Sequence, residues 1–339
     1  MRQAWIRRGT MSSDVAEAAG GRSWAHDMTA RVRHGNLRDY GIVVVFLALF
    51  ITFSVSSSTF LERQNFANIL DQYAALGLLT IGETICIIAG IFDVSVGAIV
   101  SVSAVVATKA AISLDPVTGL ILGVLAGVGL GIANALIIHF TRINSFIGTL
   151  ATGIVYGGLA ILITGGNIVT VIDAKFGYIG QEQLLGIKYT GWTFIVFAVA
   201  VGFVLARTTF GRYVYASGGN AEAARLSGIR VGAIRGGAYA ISGLAAGLAG
   251  MLLASRVQAA QANVGAGLEL TAIAAAIVGG TSILGGEGAV WRGVIGVLLI
   301  AIIGNGFNLL GISTTYQQIV YGSLILVAVA ADQLLRRRA

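Results

Sequence analysis

The amino-acid sequence predicts an all-α polytopic membrane protein with about ten transmembrane helices, some of them broken or re-entrant. Three features of composition indicate this class: 56% of the 339 residues are hydrophobic, only 11% are charged, and there are 48 glycines beside one proline. Soluble domains average about 25% charged residues and about 7% glycine, so this chain has too little polar surface for a water-soluble particle. Its hydrophobicity excludes a disordered chain, and the absence of a three-residue glycine period excludes collagen.

Ten apolar stretches approach the length that crosses about 30 Å of hydrocarbon at 1.5 Å per residue. Before them, residues 1–40 form a polar, arginine-rich tail without the apolar run of a secretory signal. The predicted membrane domain covers residues 41–335. Its spans are expected near 41–59, 69–90, 97–113, 117–138, 145–164, 192–206, 233–255, 268–283, 290–311 and 316–334.

The arginines and lysines predict the orientation. With ten spans and the N-terminus in the cytoplasm, 17 of the 22 basic residues fall on the cytoplasmic side and 5 on the other. This bias agrees with the positive-inside rule. We therefore expect both termini in the cytoplasm and attribute the net charge of +7 to topology rather than to nucleic-acid binding.

The glycines predict close helix packing, because small residues let helix backbones approach each other in lipid. Four of them recur at every fourth residue of one predicted span, and three more form a similar stripe further along the chain. The first stripe is Gly119, Gly123, Gly127 and Gly131, and the second is Gly243, Gly247 and Gly250.

The first segment that interrupts the apolar pattern carries two carboxylates, Glu83 and Asp93. Charged groups at bilayer depth are costly and usually face protein or a water-filled path. Gly90 and Gly97 flank Asp93 and Ser95, which indicates a broken helix beside a cavity, with Ser95 as a possible helix cap. The alternative is that Asp93 lies in a short cytoplasmic loop and caps a helix.

The second segment, about 207–232, is the longest polar stretch between spans. Asn220 suits an N-cap and Gly228 suits the position after a C-cap, so a two-turn helix is predicted between them. A helix this short is unstable alone. It is explained if it docks into a groove of a partner, although a simple surface connector is the alternative.

The third segment begins with Glu269 and continues to double glycines on either side of Thr281 and Ser282, which predict another broken or re-entrant helix. Further on, Asn305 and Asn308 add neutral polar groups to apolar helices. Neutral hydrogen-bonding groups suit a polyhydroxylated solute better than an ion. Hydrogen bonding between helices is the alternative for these residues.

Motifs for nucleotide or catalytic chemistry are absent from the sequence. No glycine–lysine pair exists, so a Walker A loop is impossible, and no zinc-protease or serine-hydrolase motif occurs. The three histidines are far apart, so no metal site is expected. The one cysteine, Cys86, lies in an apolar run and is interpreted as a packing residue.

Four runs of sequence, in order, resemble the bacterial ABC importer permeases of the ribose/simple-sugar class, within the branched-chain-type permease family. They are residues 82–97, 208–229, 269–288 and 305–322, and the resemblance extends over about 45–335. The chain departs from that family at Ile91-Phe92, where Gly-Ile is common. It also lacks prolines common near Asn144-Ser145 and in 261–263. These departures leave the transported solute open.

The resemblance implies a pore subunit that is not itself an enzyme. ATP and magnesium would be bound by a separate ATPase subunit, a periplasmic sugar-binding protein would deliver the solute, and a second copy or a paralogue would complete the pore in the inner membrane. The ATPase-coupling residues would be Asn220, Glu222, Ala223, Ala224, Arg225 and Gly228. Candidates for the translocation path are Glu83, Asp93, Ser95, Thr149, Tyr156, Glu269, Asn305 and Asn308.

Two other classes of function are alternatives to this one. A proton-coupled secondary transporter would use Glu83 and Asp93 as proton carriers. A receptor or membrane-embedded enzyme is remote, because no nucleophile–base or metal cluster exists. The sequence does not separate ribose from xylose or erythritol.

Overall fold

A computed structural model describes residues 43–313, 315–323 and 326 of the chain. The chain divides into two units, Met1–Val44 and Val45–Ala339, and the description below concerns the second. The predicted tail, 1–40, and most of the last predicted span lie outside the described residues.

The described part of the chain is mainly helical. Its helices are α1 (Val43–Ser56), α2 (Arg63–Ile88), α3 (Val96–Ser113), α4 (Pro116–Thr141), α5 (Ser145–Thr164), α6 (Ala174–Gln181), α7 (Tyr189–Arg207), α8 (Thr209–Gly219), α9 (Ala221–Leu226), α10 (Val231–Val257), α11 (Leu268–Val278) and α12 (Val290–Leu309). Residues 315–323 are also helical. Four two-residue strands are β1 (Val169–Thr170), β2 (Gln183–Leu184), β3 (Ile187–Lys188) and β4 (Ala259–Ala260).

Six of the described helices are long and apolar enough to cross a membrane: α3, α4, α5, α7, α10 and α12. Helix α2 has 26 residues but carries Asp71 and Glu83. Helices α1 and α11 are shorter than a full span. Each predicted span from 41–59 to 290–311 has a described helix within a few residues of it, except that α2 begins six residues early, at Arg63, and α11 ends at Val278 rather than near residue 283. Helices α6, α8 and α9 lie between the predicted spans. The structure therefore shows a multi-pass helical membrane protein, and the count of about ten spans stays a prediction.

Local chemistry explains where α4 and α5 begin. The Asp115 carboxylate accepts hydrogen bonds from the N–H groups of Val117 and Thr118, and Pro116 occupies the first turn of α4. Helix α5 begins in the same way, since the Asn144 side chain accepts from the N–H groups of its first turn. Such caps satisfy N–H groups that have no partner within the helix.

The glycine stripe of α4 packs as predicted, against two different helices. A methyl group at Gly119 or Gly123 would lie 2.5–2.7 Å from backbone atoms of α3. A methyl group at Gly127 or Gly131 would overlap the backbone of α10, where Gly243 faces both of them. Backbone atoms thus meet where side chains would otherwise separate the helices, and this confirms the packing interpretation.

Burial sorts the spanning helices into an inner and an outer group. The most apolar windows of α3, α10 and α12 are each 67% buried, whereas those of α4, α5 and α7 are 22–33% buried. The exposed faces of the outer helices carry leucine, isoleucine, valine and phenylalanine. In a membrane protein such faces suit contact with lipid.

At one end of the bundle, short strand pairs and a buried aspartate connect the helices. Strand β1 pairs with β4, and β2 with β3, both antiparallel. Asp71 of α2 is 5% exposed and accepts from Lys188 Nζ at 2.9 Å and Thr190 Oγ1 at 2.7 Å, with Arg256 Nε at 3.6 Å. These contacts join α2, α7 and α10.

Candidate functional site

The break segment, residues 89–95, separates α2 from α3 inside the bundle. Gly90 has a φ of +74°, which ends the helix, and Asp93 behind it is fully buried. Asp93 Oδ1 accepts from the Ser95 N–H at 3.2 Å and from Ser95 Oγ at 2.6 Å, and Asn134 Nδ2 lies at 3.4 Å. Asp93 Oδ2 accepts from Ser242 Oγ at 3.0 Å. One carboxylate therefore joins the break segment to α4 and α10.

The Asp93 network continues through the residues around it. Asn134 donates to Ser95 Oγ at 2.7 Å, and Tyr156 of α5 donates to Asn134 Oδ1 at 3.0 Å. Thr149 of α5 accepts from the Val94 N–H at 3.0 Å. Four of the predicted path residues (Asp93, Ser95, Thr149 and Tyr156) are thus brought together, but by hydrogen bonds that fasten helices to the break segment.

Two sequence-based details of this region need correction. Ser95 occupies the N-cap position of α3 but makes no capping bond, because its hydroxyl donates to Asp93 instead. Asp93 does not cap α3 either, since its backbone donor is the N–H of Ser95, before the helix begins. The sequence analysis also missed Asn134 and Ser242. Each is a polar residue on a glycine-striped helix, three residues after Gly131 or one before Gly243, and that signal could have found them.

Glu83 and Cys86 lie in α2 close to this network, and both are fully buried. Among the described residues, neither carboxyl oxygen of Glu83 has a hydrogen-bond partner. The Cys86 thiol contacts the Ala238 carbonyl of α10 at 3.7 Å, as a packing residue would.

Two other predicted path residues lie elsewhere. Asn305 of α12 exchanges two side-chain amide hydrogen bonds with Asn65 of α2, at 3.0 and 2.7 Å. Asn308 is exposed and accepts from Gln317 Nε2 at 3.0 Å. Asn305 therefore makes the interhelical hydrogen bonds that the alternative interpretation described.

A cavity of about 330 Å³ lies between α3, α5 and the segment that leads into α11. Of the eight predicted path residues, only Glu269 lines it. Its other lining residues are Val94, Gly97, Ala98, Ser101, Leu150, Gly153, Ile154, Gly157, Ile161, Ala262, Asn263 and Ala266. The broken helices α3 and α11 both contribute, as expected where non-helical backbone borders a cavity in a membrane protein.

The Glu269 carboxylate is held against α3. Its Oε1 atom accepts from the Gly267 N–H at 3.2 Å, while Oε2 is buried without a hydrogen bond to any described residue. A methyl group at Gly97 would overlap Glu269 Oε2 and lie 2.6 Å from the Gly265 carbonyl oxygen. Gly97 is therefore required by close approach, a role distinct from the helix break that the sequence suggested.

At the opposite end from the strands, α8 and α9 form the polar segment predicted between spans. Asn220 Oδ1 accepts from the Ala223 N–H at 2.9 Å. Gly228 has a φ of +83°, and the N–H groups of Gly228 and Ile229 donate to the carbonyls of Arg225 and Ala224. This pair of bonds is a Schellman motif. Both predicted caps are confirmed.

The outer surface of α9 is exposed. Leu226 is 81% exposed, and Glu222 forms an ion pair with Arg225 whose two side chains are about two-thirds exposed. Ala224 is buried and seats the helix on the rest of the domain. An exposed leucine next to an exposed ion pair offers both apolar and charged contacts to a partner.

The glycine junction, made of Gly90, Gly218, Gly285 and Gly286, lies behind α9. A methyl group at Gly218 would overlap the Ile88 carbonyl oxygen, and the Gly286 N–H donates to that same oxygen at 2.9 Å. Arg235 of α10 donates to the Ala89 carbonyl at 3.2 Å. The end of α8 is thus in backbone contact with the end of α2, directly before the break segment.

A helical bundle with lipid-suited outer faces, helices broken beside a cavity, and a capped helix exposed at one end defines an integral membrane transport protein. Residues 65–329 match the family model described as branched-chain amino acid transport system / permease component. The chain belongs to this family. In the part of the chain that the structure describes, no group of three acidic, histidine or cysteine side chains could hold a metal ion.

Several characterised permeases are similar to this chain over most of their length. The ribose import permease protein RbsC of Bacillus subtilis (strain 168) is 42% identical over 85% of this chain and 91% of its own. The L-arabinose ABC transporter permease protein AraH of Azospirillum brasilense is 38% identical over 88% of each chain. The D-allose transport system permease protein AlsC of Escherichia coli (strain K12) is 37% identical over 87% and 91%. No solved structure gives a significant match.

Proposed function

We propose that this chain is the permease subunit of an ABC importer that moves a simple sugar or sugar alcohol across the bacterial inner membrane. The family and the relatives, whose names specify ribose, L-arabinose and D-allose, support the class of solute. The single structural observation that carries the proposal is α9, a helix capped at both ends, exposed on its outer surface, and connected through the glycine junction to the break segment.

Energy would come from a separate ATPase subunit. The sequence has no Walker A loop, so ATP and magnesium are expected in the partner and none in this chain. The exposed Leu226 and the Glu222–Arg225 pair are suited to a groove on that partner. Asn220 and Gly228 set the two ends of α9, the small buried Ala224 lets it lie close to its neighbours, and Ala223 lies on its exposed side.

Movement of α9 would reach the pore through backbone contacts. When the ATPase subunits close on ATP, they would displace α9 and the end of α8. The contact between Gly218 and the Ile88 carbonyl would pass this displacement to the end of α2 and to the break segment. Packed elements shift between discrete arrangements rather than deform continuously, so a small displacement at α9 can change the access to the cavity.

The proposed topology has about ten spans with both termini in the cytoplasm, the tail at 1–40 and the permease domain at 41–335. Helix α9 and the glycine junction then face the ATPase, and the strand end with Asp71 faces the periplasm. A sugar-binding protein would dock at that outer end. A second copy, or a paralogue, would complete the pore within the bilayer. No nucleic-acid partner is expected.

The proton-coupled alternative has less support. It would use Glu83 and Asp93 as proton carriers, yet both are fully buried and neither lines the cavity. The two oxygens of Asp93 also accept hydrogen bonds from Ser95 and Ser242. The similar proteins named above are permeases of importers for sugars, which also argues against it.

The proposal is tested with the chain co-expressed with the ATPase and sugar-binding protein of the same organism and reconstituted into vesicles. Gly228→Ala places a β-carbon at φ +83°, which strains the end of α9 without a steric clash. We expect assembly to persist while sugar-dependent ATPase stimulation and uptake both fall. Ser227→Ala, an exposed neighbour with negative φ, is the matched control.

Two results would contradict the proposal. Wild-type stimulation and uptake in Gly228→Ala would remove the coupling role of α9. Uptake by the wild-type chain alone, without ATP and abolished by a protonophore, would replace the whole class of mechanism with the proton-coupled one.

A further inference from the structure

Three polar side chains line the cavity: Ser101, Asn263 and Glu269. Ser101 is already used, because its hydroxyl donates to the Gly97 carbonyl at 3.2 Å and accepts from the Gly265 N–H at 3.0 Å. Asn263 brings an amide. Glu269 Oε2 is enclosed against Gly97, whereas Glu269 Oε1 accepts a single hydrogen bond, from the Gly267 N–H at 3.2 Å, and so has an acceptor position left. A carboxylate oxygen is an acceptor only, so the group that would satisfy it must bring a donor.

An unsatisfied carboxylate at this position is costly, and its surroundings do not reduce the cost. Among the described residues no cation lines the cavity, and most of its lining is glycine, alanine and aliphatic side chains. Buried polar groups without partners are rare in native proteins and commonly mark a site that is completed by a ligand or water. Hydrogen bonds from neutral donors to a charged oxygen are stronger than those to a neutral one.

Glycines determine the space in this cavity. Gly97 forms part of its floor, and Gly153 and Gly157 leave one side of α5 bare. A methyl group at Gly157 would meet no atom within 4 Å, so a side chain there would project into open space. The volume of about 330 Å³ lies at the small end of the range for ligand pockets, about 300–1,000 Å³.

We infer that this cavity is the solute site within the membrane domain. In it, Glu269 accepts hydroxyl hydrogen bonds from a neutral polyhydroxylated solute and repels anionic solutes such as sugar acids and sugar phosphates. This inference rests on the proposed function, and it adds the location of the site and the residue that discriminates by charge.

The charge discrimination by Glu269 is tested on the purified chain without any solute. Ala266 lines the cavity and is exposed, so Ala266→Cys in a Cys86→Ala background places a reporter thiol there. Its rates of reaction with a cationic and an anionic methanethiosulfonate reagent are compared. We expect the cationic reagent to react about tenfold faster, and Glu269→Gln to bring the ratio close to one. Equal rates in both backgrounds, or no reaction with either reagent, would overturn the inference.

The location of the solute site in this cavity is tested with substitutions at two neighbouring glycines of α5. Gly157→Leu fills the cavity, whereas Gly158→Leu lies outside it, and a methyl group at either position would meet no atom within 4 Å. Both substitutions favour the helix. We expect at least a tenfold loss of sugar uptake and slower thiol labelling for Gly157→Leu, and neither change for Gly158→Leu. Identical behaviour of the two variants would contradict the location of the site.

Uptake by the reconstituted complex separates this inference from the proposed function. We expect Glu269→Gln to lower uptake of the neutral sugar at least tenfold while the sugar-loaded binding protein still stimulates ATP hydrolysis. Wild-type uptake by Glu269→Gln and Gly157→Leu, alongside uncoupling by Gly228→Ala, would overturn the inference alone. If the wild-type complex shows no ATP-dependent uptake, the proposed function fails, and the labelling ratio still decides whether Glu269 sets the charge preference of the cavity.

Discussion

Replacing Asp93 by alanine tests whether this residue fastens helices or serves the solute directly. The change removes the acceptor of four hydrogen bonds, two from Ser95, one from Asn134 and one from Ser242. All of these donors are buried, so each would be left without its present partner. Ser242→Ala is the matched control, because it removes one of the four bonds and no carboxylate.

The expected loss of stability follows from the number of hydrogen bonds that each substitution removes, four for Asp93→Ala and one for Ser242→Ala. Hydrogen bonds between helices in membrane proteins average about 0.6 kcal/mol, with a maximum of about 1.7 kcal/mol. Four of them correspond to about 2–7 kcal/mol for Asp93→Ala, and one to about 0.6–1.7 kcal/mol for Ser242→Ala. If 1 kcal/mol lowers Tm by about 2–4 °C, Asp93→Ala should lose on the order of 10 °C and Ser242→Ala only a few degrees.

The chain contains its own reporter for this measurement. Cys86 is its one cysteine and is fully buried, so a thiol-reactive fluorophore reports unfolding in detergent. Asp93→Asn completes the set, since its remaining oxygen keeps the bonds at Oδ1 and the Ser242 hydroxyl can turn to accept from the new amide. Its Tm and uptake should stay near wild type. Equal Tm values for Asp93→Ala and Ser242→Ala would refute the fastening role. Loss of uptake at unchanged Tm in Asp93→Asn would assign the charge itself a role in transport.

Three further predictions concern helix packing, coupling and pH. Gly127→Ala should destabilise by about 1–3 kcal/mol because its methyl group overlaps α10, whereas Gly129→Ala, with open space around it, should stabilise by up to about 1 kcal/mol; equal Tm changes would contradict this contrast. Gly218→Ala should lower sugar-dependent ATPase stimulation by its overlap with α2, and Gly219→Ala, whose methyl would have a single neighbour at 3.9 Å, should not; similar stimulation in the two complexes would count against transmission at the glycine junction. The hydrogen bond to Thr118 holds the pKa of Asp115 below its ordinary value, so its stabilisation of α4 is present at neutral pH and is lost as pH falls through the folded-state pKa; Asp115→Asn keeps the cap without titrating, and an identical dependence of Tm on acid pH in both proteins would show that Asp115 contributes nothing.

Features that depend on local chemistry could be predicted from the sequence. The caps of α9 at Asn220 and Gly228 follow from which side chains satisfy backbone groups and which residues tolerate positive φ. The stripe from Gly119 to Gly131 was predictable because a four-residue period places small residues on one face. Its division between α3 and α10 was not predictable, since the partner of each turn depends on how the helices cross.

In the candidate site, too, the sequence predicts some features and only the tertiary structure decides others. The sequence marked Asp93 and Glu269 equally, as carboxylates next to glycines in apolar surroundings. The structure separates them, because Ser95 and Ser242 enclose Asp93 while the Glu269 side chain lines a cavity. Ser95 adjoins Asp93 along the chain, but the donors Asn134 and Ser242 are 41 and 149 residues away, so their nearness in space could not be read from the sequence.

By itself, the sequence determined that this protein lies in a membrane, roughly where most of its spanning helices run, and which family it belongs to. Those properties depend on composition, on period and on residues adjacent along the chain. Only the tertiary structure decided which buried polar groups have partners, because a polar residue at bilayer depth needs a donor or acceptor whose position is set by helix crossing. That distinction assigns Asp93 to the framework of the bundle and leaves Glu269 facing the cavity.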